Sequence, residues 1–255
     1  DALPISQTLF PLYRHPSCMA NLKKVNSEYA EKLKSVLTLR HDPVAVKLIR
    51  KGEKIPSSPQ RLEGQRSHCQ LITDAMDGSC ILALPENMSC NVGASSLGMI
   101  GTPEKVANGE FHFNMGLHAS REAAKRMIDT RTDLPPGSVI GEIVCPLSQA
   151  DFVPDVVVFT DIPERIYWLS ALETAGTGGR TSYVTAPFQC MCEDAVVVPI
   201  VSGKPNISIG CFGTRKRTSV RQDEMIIGIP YDRIAPAMES LDKWKDGILT
   251  KAKRD

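Results

Sequence analysis

Cys211 stands where an apolar run, "NISIG" (Asn206–Gly210), gives way to a glycine-containing turn and the basic residues Arg215, Lys216 and Arg217. Cys90 sits in a similar place, after "PENMS" and before "NVG". Cys190 and Cys192 share a Cys-x-Cys run in "QCMCED", and Cys69 opens "CQLITDAMDG". Thiolates bind soft or borderline metals, and four of them suit either a tetrahedral zinc or an iron–sulfur cluster. Gly93 and Gly213, beside two of these cysteines, let the backbone approach a guest and aim its N–H groups at sulfur. The set expected to ligate is Cys69, Cys90, Cys211 and one of Cys190 and Cys192. Their spacing is dispersed, unlike the compact runs of ferredoxins or zinc ribbons, so the residues alone leave a metal site and plain buried cysteines both open. A redox disulfide between the Cys-x-Cys pair and Cys211 is a rival, as is Cys211 acting as a nucleophile activated by the adjacent cations. Cys80 and Cys145, inside apolar runs, read as buried structural thiols.

Arg215 and its neighbours place positive charge beside Cys211, where it could hold an anion or an electronegative cluster, or form a solvated basic turn. "AGTGGR" (Ala175–Arg180) follows a helical pattern, whereas a dinucleotide fingerprint follows a strand and opens a helix, so it reads as a loop. The five histidines show no His-x-x-x-His pairing, and His68 stands out only because it abuts Cys69. No Gly-x-Ser-x-Gly elbow or Cys-x-x-Cys-His haem site is present. Glu86 and Glu224 are candidates for acid/base work, with ordinary pairing the plainer reading. Enzymatic activity is left undecided.

Thirty Lys+Arg against 29 Asp+Glu give a net charge of +1, which argues against a nucleic-acid or membrane-surface protein. No apolar run approaches the ~18 residues of a membrane span. Eight cysteines in 255 residues fall far below the ~8–10% of a disulfide scaffold, and a chain this long can build its core without such bridges. The chain begins at Asp1 rather than Met, so a removed leader and export stand beside a cytoplasmic location.

These residues need elements to carry them. "NLKKVNSEYAEKLKSVLTL" has apolar residues at helical spacing, and "PVAVKLI" reads as a buried strand. "SCILAL", "SVIGEIV" and "DVVVF" are further strands, and "CQLITDAMDG" and "HASREAAKRMID" are helices. "DIPERIYWLSALETAG" is the best-signalled helix, with Asp161 expected to cap it and Gly176 to end it. "EDAVVVPIV", "NISIG" and "EMIIGI" read as three strands too close for crossover helices, and "YDRIAPAMESLDKWKDGIL" as a closing amphipathic helix. Strands alternating with helices, and continuously apolar rather than alternating, predict an α/β protein with a mixed sheet covered on both faces. Residues 1–42 would form an N-terminal extension and helix, and 43–255 a single domain. Cys69 and Cys90 are 21 positions apart, as are Cys190 and Cys211, and "PENMSC" echoes "PNISIGC". The echo suggests two pseudo-symmetric halves, 43–150 and 151–255.

The ordered series "PVAVKLI", "LALPENMSCNVGASSLGM", "PDVVVF", "AVVVPIVSGKPNISIGCFGTRK" and "DEMIIGIPY" resembles the family catalogued as domain of unknown function 169, also called ArCR, found mainly in archaea and anaerobic bacteria. The resemblance runs from about Pro43 to Ile234. It implies recurrent cysteines at Cys69, Cys90, Cys211 and one of Cys190 and Cys192, and a Gly-Cys-x-Gly-x-Arg segment at Gly210–Arg215. The family's anaerobic distribution favours a 4Fe–4S cluster over zinc, with electron transfer as the expected role and a redox protein or small anionic ligand as partner. A homo-oligomer is compatible with it. The competing expectation is a small-molecule-binding or regulatory module with structural zinc, disulfides or free buried cysteines.

Overall fold

The computed structural model describes residues 16–56, 58–188 and 190–251. Seven strands form one mixed sheet in the order β2-β3-β4-β1-β5-β7-β6: β1 (Val44–Arg50), β2 (Gln60–Arg61), β3 (Ile81–Ala83), β4 (Val139–Pro146), β5 (Val156–Asp161), β6 (Asn206–Ser208) and β7 (Met225–Pro230). All neighbouring pairs are antiparallel except β2 with β3. Successive side chains point to opposite faces, and here both faces are dry. Val44, Val46, Leu48, Val156, Val158 and Ile226 pack on one side, against helices α2 (His68–Met76) and α3 (Asn91–Ser96) and a π-helix at Cys190–Val197. Ala45, Val157, Phe159, Ile227 and Ile229 pack on the other. There they meet α1 (Pro16–Leu37), α7 (Pro163–Thr174) and α10 (Ile234–Lys245). The continuous Val/Ile character of the strands follows from this two-sided burial.

The sheet has a pseudo-twofold axis. At its centre β1 and β5 run antiparallel with Ala45 opposite Val157. Outward from β1 lie β4 and β3; outward from β5 lie β7 and β6. The registers match: Pro146 faces Val44 as Pro230 faces Val156, and Val144 faces Ile81 as Gly228 faces Asn206. Both halves contain, in order, a strand, a helix, a short strand, a cysteine, a short helix and a long strand, with β2 added in the first half and a further helix, α7, in the second. The short helices are α3 after Cys90 and α9 (Phe212–Arg217) after Cys211. In the first half a further run follows α3, made of α4 (Glu104–Ala107), α5 (Glu110–Asn114) and α6 (Arg121–Asp129). Helix α1 is seated on the sheet rather than extended from it: Asn26 donates to the carbonyls of Ala150 and Phe152 at 2.8 and 3.1 Å, and Leu33 is fully buried.

Three local expectations are corrected. "AVVVPIV" is not a strand; it completes the π-helix and enters α8 (Val198–Ser202). A short run apolar on all sides is ambiguous between buried strand and buried helix, and Pro199, lacking an N–H, denies the Ala195 carbonyl its α-helical partner. Asp161 does not cap α7. It ends β5, accepts from the Ile162 and Arg40 amides at 2.8 Å each, and leaves Ile162 in the cap position without a side-chain bond. Cys80 and Cys145 are a disulfide rather than free thiols. The pairing follows from register, because Ile81 lies opposite Val144 and the next residues outward are these two cysteines.

Candidate functional site

The pairing of the two halves brings four cysteine side chains together on the face of α2, α3 and the π-helix. Cys69 lies in the first turn of α2, which Ser67 starts with a reciprocal bond to Gln70, a capping box. Cys90 is the N-cap of α3, its Sγ accepting from the Gly93 amide at 3.4 Å. Cys211 is the N-cap of α9, its Sγ accepting from the Thr214 amide at the same distance. The two are structural equivalents, each a sulfur held against the positive end of a short helix. The fourth thiol is Cys192. The π-helix that carries it lies directly on β7, where a Cβ added at Gly228 would fall 1.8 Å from the Ala195 carbonyl oxygen, and Asn206 of β6 donates to the Asp194 carbonyl at 2.9 Å.

The contacts pair sulfurs across the halves. Cys69 of the first half meets Cys211 of the second: the Thr214 hydroxyl lies 3.3 Å from each Sγ and donates to Cys69. Cys192 of the second half meets Cys90 of the first. Gly93 lies beside both sulfurs, its missing Cβ 3.4 Å from Cys192 Sγ and 3.7 Å from Cys90 Sγ. Thr214 fills one side of the tetrad and Gly93 leaves the equivalent side open. Cys69, Cys192 and Cys211 are buried and Cys90 is half-buried, so the tetrad has one edge toward solvent. The Cys69 thiol is pushed well up by its hydrogen bond with Cys211, by burial and by the neighbouring sulfurs. Burial and the proximity of Cys90 and Cys211 push Cys192 up as well. Among the described residues, no three His, Cys, Asp or Glu side chains are arranged to hold a single metal ion.

The remaining expected residues fall as follows. Gly213 lies beside Cys211, its missing Cβ 3.7 Å from that sulfur. The side chain of Cys190 lies outside the described residues. Arg215 is not poised for an anion: its guanidinium donates to the carbonyls of Ile209, Arg221 and Glu224 and braces the turn at Gly210, whose φ of 79° favours glycine. Glu224 is buried, bonded to His41 at 2.8 Å and to the Arg221 amide at 2.9 Å, a fixed support between chain segments. Glu86 is exposed. Ala175–Arg180 is an exposed loop after α7, lining shallow grooves with residues of α7 and α10. His68 is buried against Glu142 of β4, its Nδ1 2.7 Å from Oε2, with its Nε2 and Glu142 Oε1 both without hydrogen-bond partners.

Sequence reasoning passed over a second polar cluster. Arg131, His112 and His118 carry no motif spacing, and the run from α4 to α6 folds them back beside Phe188 and Glu193. Burial, Arg131 and His118 together push His112 down to about 4. Burial pushes Glu193 up to about 8 while the Thr132 amide bonds its Oε1 at 2.9 Å. A sequence signal did exist in the apolar-poor, His- and Arg-containing insert between two cysteine-bearing elements, but not in any pairwise spacing.

Fold and site together define an α/β protein with one mixed seven-stranded sheet and four cysteine side chains gathered on one of its faces. Among the described residues no helix is long and apolar enough to cross a membrane. The chain belongs to the DUF169 family of uncharacterised ArCR proteins, whose model matches residues 32–240. It is similar to an uncharacterized protein of Methanocaldococcus jannaschii, 28% identical over 222 residues, covering 86% of this chain and 94% of that one. No solved structure matches.

Proposed function

We propose that Cys69, Cys90, Cys192 and Cys211 hold a 4Fe–4S cluster and that the protein transfers electrons. The observation that supports this most is the convergence of four cysteine side chains, two from each half, on one face of the sheet. Four thiolates are the usual ligand set of such a cluster. The Gly93 and Thr214 amides would orient thiolates at Cys90 and Cys211, while the apolar residues around α2 and the π-helix keep water away. Such a cluster, when bound, supplies one-electron redox chemistry. Four protein ligands favour electron transfer over substrate turnover, and half-buried Cys90 marks the edge nearest a redox partner. The raised thiols of Cys69 and Cys192 do not suit an activated nucleophile at those two positions.

Serine substitutions test the ligand set. Protein purified anaerobically should be brown, absorbing broadly near ~400 nm. Changing Cys69, Cys90, Cys192 or Cys211 to Ser should bleach that band, and changing Cys80 or Cys145 should leave it. Persistence of the band in both Cys90→Ser and Cys211→Ser would overturn the assignment. The Cys80–Cys145 disulfide is what favours the second reading, a binding or regulatory module with structural cysteines, for which the wild-type protein is colourless.

A further inference from the structure

The run between α3 and β4 has no counterpart in the other half, where residues 218–224 alone join α9 to β7 and contain no helix. This insert walls the half-buried edge of the tetrad, with Val106 and Ile128 packed on Val92 and Cys90. At its exit stands Arg131, whose side chain is 3% exposed. Its Nη2 donates to Thr102 Oγ1 at 3.1 Å and to Asp133 at 2.6 Å, but its Nε and Nη1 have no partner. The contrast with Arg215 is instructive, since that guanidinium is satisfied by three carbonyls.

His118 Nε2 is likewise buried and without a partner. The two side chains serve one region. The charges of both act on His112, and His112 and His118 each lie against the Phe188 ring, with centroids 4.6 and 5.8 Å away. Phe188 leads into the π-helix bearing Cys192, and Thr132, next to Arg131, bonds Glu193 of that helix. Unmet donors on a buried guanidinium are costly unless an acceptor meets them, and an oxyanion does so with charge-assisted bonds.

We propose that Arg131 and His118 form a binding site for a small oxyanion, a carboxylate or phosphate group, beside the half-buried edge of the thiol tetrad. The insert is then the element that distinguishes the two halves by function: the axis builds the thiol centre, and the insert places a ligand next to it. The site does not depend on what the thiols hold.

Calorimetric titration of the full-length protein with inorganic phosphate and with acetate tests this, with acetamide as the uncharged control. One of the two anions should bind saturably and shift the Arg131 Nε–H resonance, and which one binds separates phosphate from carboxylate. Arg131→Lys, which keeps the charge but loses the Nε and Nη1 donors of the planar guanidinium, and His118→Gln should each weaken binding at least about tenfold, a loss of ~1.4 kcal/mol. Arg180→Gln, in the exposed loop after α7, should not. Saturable binding should survive in Cys90→Ser, which separates this site from the cluster assignment. Absence of saturable binding of either anion at millimolar concentration, or wild-type affinity in His118→Gln, would overturn the proposal. Should Arg131→Lys not fold, the Arg131 resonance and the His118 variant decide it.

Discussion

At the scale of single residues, several buried polar groups among the described residues are left only partly met. His68 and Glu142 form a pair with almost no solvent contact, each with one atom unpartnered. Removing one member strands the other, so Glu142→Leu should cost about 3–5 kcal/mol. The double substitution His68→Leu with Glu142→Leu should recover most of that loss in urea unfolding. A double variant as unstable as the single one would show that packing, and not the pair, is responsible. His112 gives a pH signature. Its folded pKa of about 4 lies below the unfolded value of ~6.5, so the unfolded chain takes up the proton first as pH falls. Stability from this residue is present above the unfolded value and lost as pH drops from ~6.5 toward 4. Burial, Arg131 and His118 all disfavour its protonation. His112→Gln should flatten this acid limb of Tm against pH, and an unchanged limb would assign it elsewhere. Sequence showed these residues poorly. Arg131 and His118 are 13 positions apart with no periodic relation, and tertiary folding alone juxtaposes them. Cys90 and Cys211 were legible, because a cysteine where a strand meets a glycine-bearing turn is badly placed for a core thiol and well placed for a helix N-cap.

At the scale of elements, the π-helix is the component on which the tetrad depends, and the one sequence patterning misread. "AVVVPIV" is apolar at every position, so its period identifies neither strand nor helix. What places it is Gly228, on which the Ala195 backbone rests. Gly228→Ala must push the π-helix off β7 and carry Cys192 with it. The expected penalty is about 3 kcal/mol or more, at the upper end of overpacking effects, together with loss of the iron that the proposed cluster would contribute. Gly101→Ala, with nothing within 4 Å and no positive φ, is the control and should be close to neutral. Near-neutral stability and full metal content in Gly228→Ala would mean that the contact is not what positions Cys192. The disulfide between Cys80 and Cys145 also belongs to this scale. Each cysteine looked like an ordinary buried thiol, and the β3–β4 register, which sequence alone did not supply, puts them opposite one another.

For the whole molecule, the alternation of helices with fully apolar strands announced an α/β protein with a sheet buried on both faces. The sequence left Cys190 and Cys192 both open, and Cys192 is the one whose described side chain lies beside Gly93 together with Cys90. The central claim is that pairing the halves assembles a thiol centre neither half could build alone. Quantifying iron and acid-labile sulfide in anaerobically purified wild-type protein tests this most directly. The account predicts about four of each per chain. Protein with neither, or with one zinc per chain and no sulfide, would contradict it.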